Sequence, residues 1–234
     1  MNMANVSQAI AFYLRRYAIA LGQLHRVRTV AQNASFDEAY TFAKADLGIA
    51  QKREEIQWLF ELVRAAQPRV VLEIGLDFGG TFFLWSRAAT RDAHLIAIDA
   101  RPVGRFGDWS PFSVVRRAFA VGSQRVSLVM DSDSHSETTR ERVATLLDGR
   151  PIDFLFIDGD HSRNGVWQDF HMYSSFVNPG GLIAFHDISP IPAECTQGVA
   201  RFWGEFTAEY ETEERVVSGD PGYGIGLYRV RGSS

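Results

Sequence analysis

The sequence predicts a doubly wound α/β fold: a mostly parallel seven-stranded sheet with an antiparallel last strand, preceded by a helical extension. Three observations carry that expectation. From about residue 70, short and nearly continuous apolar runs alternate with helical segments, as a parallel sheet covered on both faces requires. Several of those runs end in Gly, Asp or His, which fits strands that open onto a ligand edge. The end of the chain abandons the alternation for a strand, a tight turn and another strand.

In chain order, residues 1 to about 45 show helical spacing with scattered basic residues and no Pro or Gly run. The apolar stretch Ala9-Ile10-Ala11-Phe12-Tyr13-Leu14 is cut short by Arg15 and Arg16, and no small-residue cleavage site follows, so it reads as a cytosolic helix. Gln51 to Ala66 places Ile56, Leu59, Phe60 and Val63 on one helical face, and Pro68 stops it. The strands of the alternating region are Val70–Ile74, Leu95–Asp99, Val126–Met130, Phe154–Asp158 and Leu182–Phe185. A helix around Val199 to Tyr210 leads to Arg215-Val216-Val217, the turn Ser218-Gly219-Asp220-Pro221-Gly222, and a last strand from Gly224 to Val230.

Composition narrows the function classes. A formal charge of −4 argues against a nucleic-acid backbone as the partner, because phosphate neutralisation needs clustered Lys and Arg. One cysteine, Cys195, excludes an internal disulfide and a Cys-rich zinc site, which suits a cytoplasmic location. No stretch approaches the roughly 20 apolar residues of a membrane span.

Two constellations carry chemistry. The first strand runs through Glu73 into Gly75-Leu76-Asp77-Phe78-Gly79-Gly80 and then a helix, so backbone N–H groups can approach a ligand closely. A dinucleotide fingerprint needs Gly where Asp77 stands. The second strand ends at Asp99, positioned for ribose hydroxyls in nucleotide-binding α/β folds generally. The alternative for the loop is an ordinary tight βα turn, and for Asp131, after the third strand, an exposed loop acid.

The second constellation is stronger. Phe156-Ile157-Asp158-Gly159-Asp160-His161-Ser162 and Gly180-Gly181-Leu182-Ile183-Ala184-Phe185-His186-Asp187 both pass from apolar strand to ionisable groups, and in a parallel sheet the two ends are neighbours. Asp158, Asp160, His161, His186 and Asp187 are therefore expected in one pocket, with Asp169, one helix later, exposed. Carboxylates so placed repel one another unless a cation or a shared proton intervenes, and oxygen-rich sites suit Mg²⁺, Mn²⁺ or Ca²⁺. The competing explanation is that these side chains cap helices and bind turn amides.

The run Phe156 to Ser162, with Pro179-Gly180-Gly181 and Phe185-His186-Asp187 downstream, resembles methyltransferase family 24, and with it the metal-dependent sugar and macrolide O-methyltransferases and the cephalosporin-hydroxylase-like proteins. More distantly it is similar to catechol O-methyltransferase. The likeness covers about residues 50 to 190. It implies a Rossmann-like fold binding S-adenosylmethionine, with residues 49–234 as the cofactor-binding domain and 1–48 as a helical extension or lid. It implies cofactor contacts from Glu73, Gly75, Gly79, Asp99, Asp131 and Asp158. S-adenosylmethionine carries no phosphate, so Asp77 is tolerable in its loop. The resemblance also implies a divalent metal, Mg²⁺ foremost, on Asp158 and Asp187, and catalysis by Asp158 and by His161 as general base. His186 stands where relatives carry an acid, which makes it the third metal position here and the point of departure from them.

The expected activity is methyl transfer to a hydroxyl of a small molecule or carbohydrate. A nicotinamide-dependent oxidoreductase and a non-catalytic S-adenosylmethionine-binding or partner-binding domain are the alternatives. Arg101 to Arg117, with Phe106, Trp109 and Phe112, reads either as an acceptor wall or as a lid packed on the domain, and the N-terminal helices suit a homo-oligomer interface.

Overall fold

A computed structural model describes residues 18–31, 33–101, 110–189, 197–218 and 223–232. Residues 18–27 form helix α1. It is followed by α2 (Phe36–Phe42), a π-helical turn (Ala43–Leu47) and α3 (Arg53–Ala66). Then come β1 (Val70–Ile74), α4 (Gly80–Ala88), β2 (His94–Asp99), α5 (Pro111–Arg117), β3 (Arg125–Met130) and α6 (Glu137–Leu147). The chain continues with β4 (Ile152–Ile157), α7 (Arg163–Tyr173), a 3₁₀ turn (Ser174–Phe176), β5 (Val177–Ser189), α8 (Gln197–Glu209), β6 (Thr212–Arg215) and β7 (Tyr223–Arg229).

The seven strands lie in the order β3-β2-β1-β4-β5-β7-β6. β1 to β5 pair in parallel, while β7 runs antiparallel to both β5 and β6. The predicted doubly wound sheet and its antiparallel terminal pair are therefore present. Strand alternation divides the core into two layers. Val71, Leu95, Phe154 and Phe156 face α1 to α5, while Leu72, Ile96, Leu155 and Ile183 face α6 to α8. Both faces are covered, so each strand is apolar at nearly every position. Trp85 on α4 closes the first layer edge-on against Phe154 and Phe156, with ring centroids 5.0 and 5.4 Å away.

The N-terminal helices belong to that first layer rather than standing apart from it. α2 begins with a capping box in which Ser35 and Glu38 satisfy each other's backbone N–H. α1 is held by Arg87 of α4. This buried guanidinium donates to the carbonyls of Val27 and Val30 at 3.2 Å and of Phe119 at 2.7 Å. Val27 ends α1, and its carbonyl is one that a helix end leaves without an intrahelical partner. Of the candidate lid, Phe106 and Trp109 lie outside the described residues. Phe112 is half-buried on α5 beneath the Arg116 guanidinium, 3.9 Å from its ring centroid. Cys195 and the turn residues Gly219 to Gly222 also fall outside. Among the described residues no helix is long and apolar enough to cross a membrane.

At the opposite edge of the sheet from the ligand side, His94 is buried with Ser127 Oγ 2.9 Å from Nε2. Arg150 and Arg125 donate to Nδ1 at 3.1 and 3.5 Å. Two guanidinium donors require Nδ1 to accept, which leaves the proton on Nε2. Burial, then the charges of Arg125 and Arg150, push its pKa from 6.5 down to about 4. A depressed folded-state pKa means that the stabilising contribution is present above pH 6.5 and is lost as pH falls toward 4. The shift corresponds to at most about 3 kcal/mol. Substituting His94→Gln should flatten the dependence of unfolding free energy on pH between 6.5 and 4, measured by urea titration. A slope equal to that of the wild type would remove His94 from the account of acid lability.

Candidate active site

The site lies along the carboxyl ends of the parallel strands, where the loops after β1 to β4 and the end of β5 surround a cavity of about 660 Å³. That volume is ordinary for a small-molecule or cofactor site. Its shape begins with crowding between neighbouring loops. Gly75 N–H donates to Ile98 O at 2.9 Å and Asp158 N–H to Ile74 O at 2.8 Å, so the β1 exit is pinned between β2 and β4. A Cβ on Gly75 would sit 2.0 Å from the Asp158 carbonyl oxygen, and the residue has φ +92°. No side chain fits there. Gly80 is equally confined, because a Cβ would lie 2.1 Å from Gly48 O, in the segment that precedes α3. Gly79 at φ +83° turns the chain into α4, whose first turn carries no acidic residue.

Glu73 lies beneath this loop and does not line the cavity. One of its oxygens accepts the Thr81 hydroxyl at 2.7 Å, and the other is buried without a hydrogen bond. Burial raises its pKa well above the carboxylate range. Asp99 does line the cavity. It is oriented by two backbone donors, Asp77 N–H to Oδ2 at 2.7 Å and Arg101 N–H to Oδ1 at 2.6 Å. Asp77, with φ +43°, pairs with Arg101, whose guanidinium stacks 4.6 Å from the centroid of the half-exposed Phe78 ring.

Asp131 is exposed at φ +53°, and the cavity is lined instead by the four residues after it, Ser132 to His135. That loop is tied to α7. The Tyr173 hydroxyl donates to Ser134 O at 2.8 Å, and His135 Nε2 lies 3.3 Å from Asp169 Oδ1. Asp169 corrects the sequence expectation, because it is fully buried rather than exposed. It lies on the inner face of α7 beneath Gly159, and burial raises its pKa to about 6.

The ionisable residues after β4 and within β5 converge as expected. Asp158, His161 and Asp187 each place one potential ligand atom within 4.8 Å of the others, the group of this kind found among the described residues. His161 Nε2 stands 3.7 Å from Asp158 Oδ1 and 3.6 Å from Asp187 Oδ2. At 39% its side chain is the most exposed of the cluster. His186 is buried behind the group. Its Nδ1 is 3.1 Å from Asp158 Oδ1 and 3.3 Å from Asp187 Oδ1, and its Nε2 has no hydrogen-bond partner. The structure thus groups His161 with the two aspartates and sets His186 against them from within. Asp160 lines the cavity, but its Oδ1 accepts Ser162 N–H at 2.8 Å in the turn that leads into α7.

The cluster's electrostatics follow from these contacts. Burial opposes ionisation of Asp158, yet the opposing pull of His186 and His161 outweighs it and holds the carboxyl at about 2. Asp187 moves the other way, raised chiefly by burial. The Asp158 carboxylate beside it raises His161. Burial pulls His186 down, but the Asp158 charge leaves it raised overall.

Sequence reasoning missed two cavity residues at this end. Gln51 donates from Nε2 to Asp158 Oδ2 at 2.7 Å. Tyr223 lines the cavity with its ring 5.7 Å from that of His186 and its backbone at φ +65°. Glu55 on α3 fixes the Tyr223 segment by accepting Val217 N–H at 2.9 Å and Gly224 N–H at 3.0 Å. The only sequence signal for Gln51 was the break in helical pattern at Gly48, which marks a loop without saying where it packs.

Known proteins of similar fold carry related names. An O-methyltransferase of Streptomyces achromogenes involved in tomaymycin synthesis, solved in complex with S-adenosylmethionine, aligns with a TM-score of 0.58 at 21% identity, over 84% of this chain and 91% of that one. An O-methyltransferase from Bacillus cereus in complex with S-adenosylhomocysteine gives 0.56 at 18% identity, over 83% and 90%. At these identities the likeness is one of fold. An uncharacterized protein of Acanthamoeba polyphaga mimivirus is 49% identical over 49 residues, 20% of this chain and 22% of that protein. An uncharacterized protein of Sinorhizobium fredii is 25% identical over 150 residues, 63% of this chain but 16% of its own length. The chain thus spans less than a quarter of each of these two relatives. The methyltransferase-domain family 24 matches residues 72–188, half of the chain, from β1 through the ionisable end of β5. This chain belongs to that family of methyltransferase domains.

Proposed function

We propose that this chain transfers the methyl group of S-adenosylmethionine to a hydroxyl of a small molecule or sugar, beside a divalent cation. One observation carries the reading. A single cavity joins a nucleoside-type end, marked by the oriented carboxylate of Asp99, to an end holding Asp158, His161 and Asp187. In this reading each Asp99 oxygen keeps a lone pair for the ribose hydroxyls, since each accepts one N–H here. The amides of Gly80 and Thr81 at the α4 N-terminus suit the cofactor's carboxylate. The loop Ser132 to His135 borders the adenine end, which leaves the sulfonium methyl directed toward the ionisable cluster.

The residues present fit a hard cation. Two carboxylates and an imidazole nitrogen approach one another closely, and Asp187 Oδ1 is buried without accepting a hydrogen bond. Asp158 and Asp187 would hold Mg²⁺, with Mn²⁺ or Ca²⁺ as substitutes. When bound, the cation supplies positive charge that lowers the pKa of an acceptor hydroxyl beside it. We assign the hydroxyl proton to His161, the exposed member of the cluster. The acceptor oxygen attacks the methyl carbon as the carbon–sulfur bond breaks, giving a methyl ether and S-adenosylhomocysteine. Positioning along the cavity supplies most of the remaining acceleration. The grouping of His161 Nε2 with both carboxylates favours a second reading, in which it is a metal ligand and not the base.

Calorimetric titration checks the class. S-adenosylmethionine should bind at micromolar concentration while NAD gives no heat. Binding of NAD alone would return the chain to the oxidoreductase alternative, and S-adenosylmethionine binding without methyl transfer to any hydroxyl acceptor would favour the non-catalytic one. A pair of variants separates the roles within the cluster. As a base, His161→Ala should lower kcat by about 10²–10⁴-fold with Mn²⁺ affinity retained. Loss of Mn²⁺ affinity in that variant establishes the ligand role instead. Asp158→Asn should abolish the metal dependence of turnover, and an unchanged metal titration would remove Asp158 from the cation site.

A further inference from the structure

Gln51 precedes the family-matched region 72–188, yet its side chain ends on the central carboxylate of the site. It is 6% exposed, and its amide donates to Asp158 Oδ2 at 2.7 Å. The other Asp158 oxygen faces His186 Nδ1 at 3.1 Å. With one donor on each oxygen, the carboxylate cannot rotate about its Cβ–Cγ bond without losing a buried hydrogen bond. Such a loss carries a desolvation cost.

The segment that delivers Gln51 is itself fixed on both sides. Gly48 O rests against Gly80 so closely that no Cβ fits between them, and Lys44 Nζ donates to Ile49 O at 3.2 Å. Two residues later α3 begins, and its Glu55 holds the strand that carries Tyr223. Gln51 is thus supported by a packed helix start and a packed glycine turn, not by a free loop.

The chemistry of the contact is specific. An amide donates to a carboxylate without neutralising it, so Asp158 keeps its full charge and a free lone pair on each oxygen. A Lys or Arg in the same place would supply its own positive charge and compete with a cation. We propose that Gln51 is a positioning residue that sets the orientation of the Asp158 carboxylate for the divalent cation, so that the N-terminal helical unit completes the cation site. This rests on the cation reading of the cluster given above. Outer-shell partners that orient metal-ligating groups typically carry about 10–100-fold in metal affinity.

The test uses the full chain and Mn²⁺ as probe, read by water-proton relaxation, with S-adenosylmethionine affinity measured separately by calorimetry without metal. Gln51→Met keeps volume and removes the donor. It should weaken Mn²⁺ by about 10–100-fold, leave S-adenosylmethionine affinity within about threefold, and regain turnover at saturating Mn²⁺. Gln51→Lys keeps a donor but adds charge, and should lose Mn²⁺ binding further. A side chain that only packs would give neither the metal-specific loss nor the greater loss with lysine. Wild-type Mn²⁺ affinity in Gln51→Met overturns the positioning role while leaving the cation site standing. Failure of the wild type itself to bind Mn²⁺ any better than Asp158→Asn overturns the cation reading, and this proposal with it.

Discussion

The contact on which the site depends is the approach of Gly75 to the Asp158 carbonyl, a gap that excludes even a methyl group. β1 and β4 are adjacent in the sheet, so their exits must diverge or touch. Here they touch, locked by the hydrogen bond from Asp158 N–H to Ile74 O. The consequence is one continuous cavity rather than two. The loop after β1 and the carboxylate of β2 form one end, and the loop after β4 with the end of β5 forms the ionisable end. A larger residue at position 75 would push those halves apart, and a displacement of about 1 Å is already costly where reacting groups must be aligned.

The ionisable end is a balance of opposing terms. Burial alone would leave Asp158 neutral, because desolvation disfavours a charged carboxyl. Two imidazoles reverse that preference, so the carboxylate is held ionised. Asp187, with a buried oxygen that accepts no hydrogen bond, is left incompletely satisfied. The backbone at Asp187 has φ +62°, an uncommon conformation for a residue other than glycine.

The fold was legible because its signal is local. A strand buried on both faces must be apolar along its length, and five such runs separated by helical segments leave few alternatives. Asp158, His161 and Asp187 were legible for a related reason, since residues that end adjacent parallel strands are neighbours by topology alone. What was not legible depends on packing across the chain. Gln51 is 107 residues from the carboxylate it contacts. Asp169 follows helical periodicity that does not reveal which face the domain covers, and it is the inner one. Asp131 illustrates a finer limit. Its positive φ turns the chain there, so the cavity is met by Ser132 to His135 rather than by the strand's immediate successor.

The cavity is walled partly by residues outside the matched region. Residues 72–188 contain the glycine loop, Asp99 and the whole ionisable cluster, so the chemistry is internal to the family domain. Gln51 and Tyr223 come from before and after it, and they border the cavity at the cluster. Both are anchored through α3. Gln51 lies just ahead of its first turn, and the Tyr223 strand is held by Glu55 within that turn. A buried carboxylate that accepts two distant backbone N–H groups ties α3 to the residues flanking the terminal turn. Both flanks thus supply part of the wall beside the cluster, while the glycine loop and Asp99 are held by β1 and β2. Function varies at such borders because the scaffold beneath them need not.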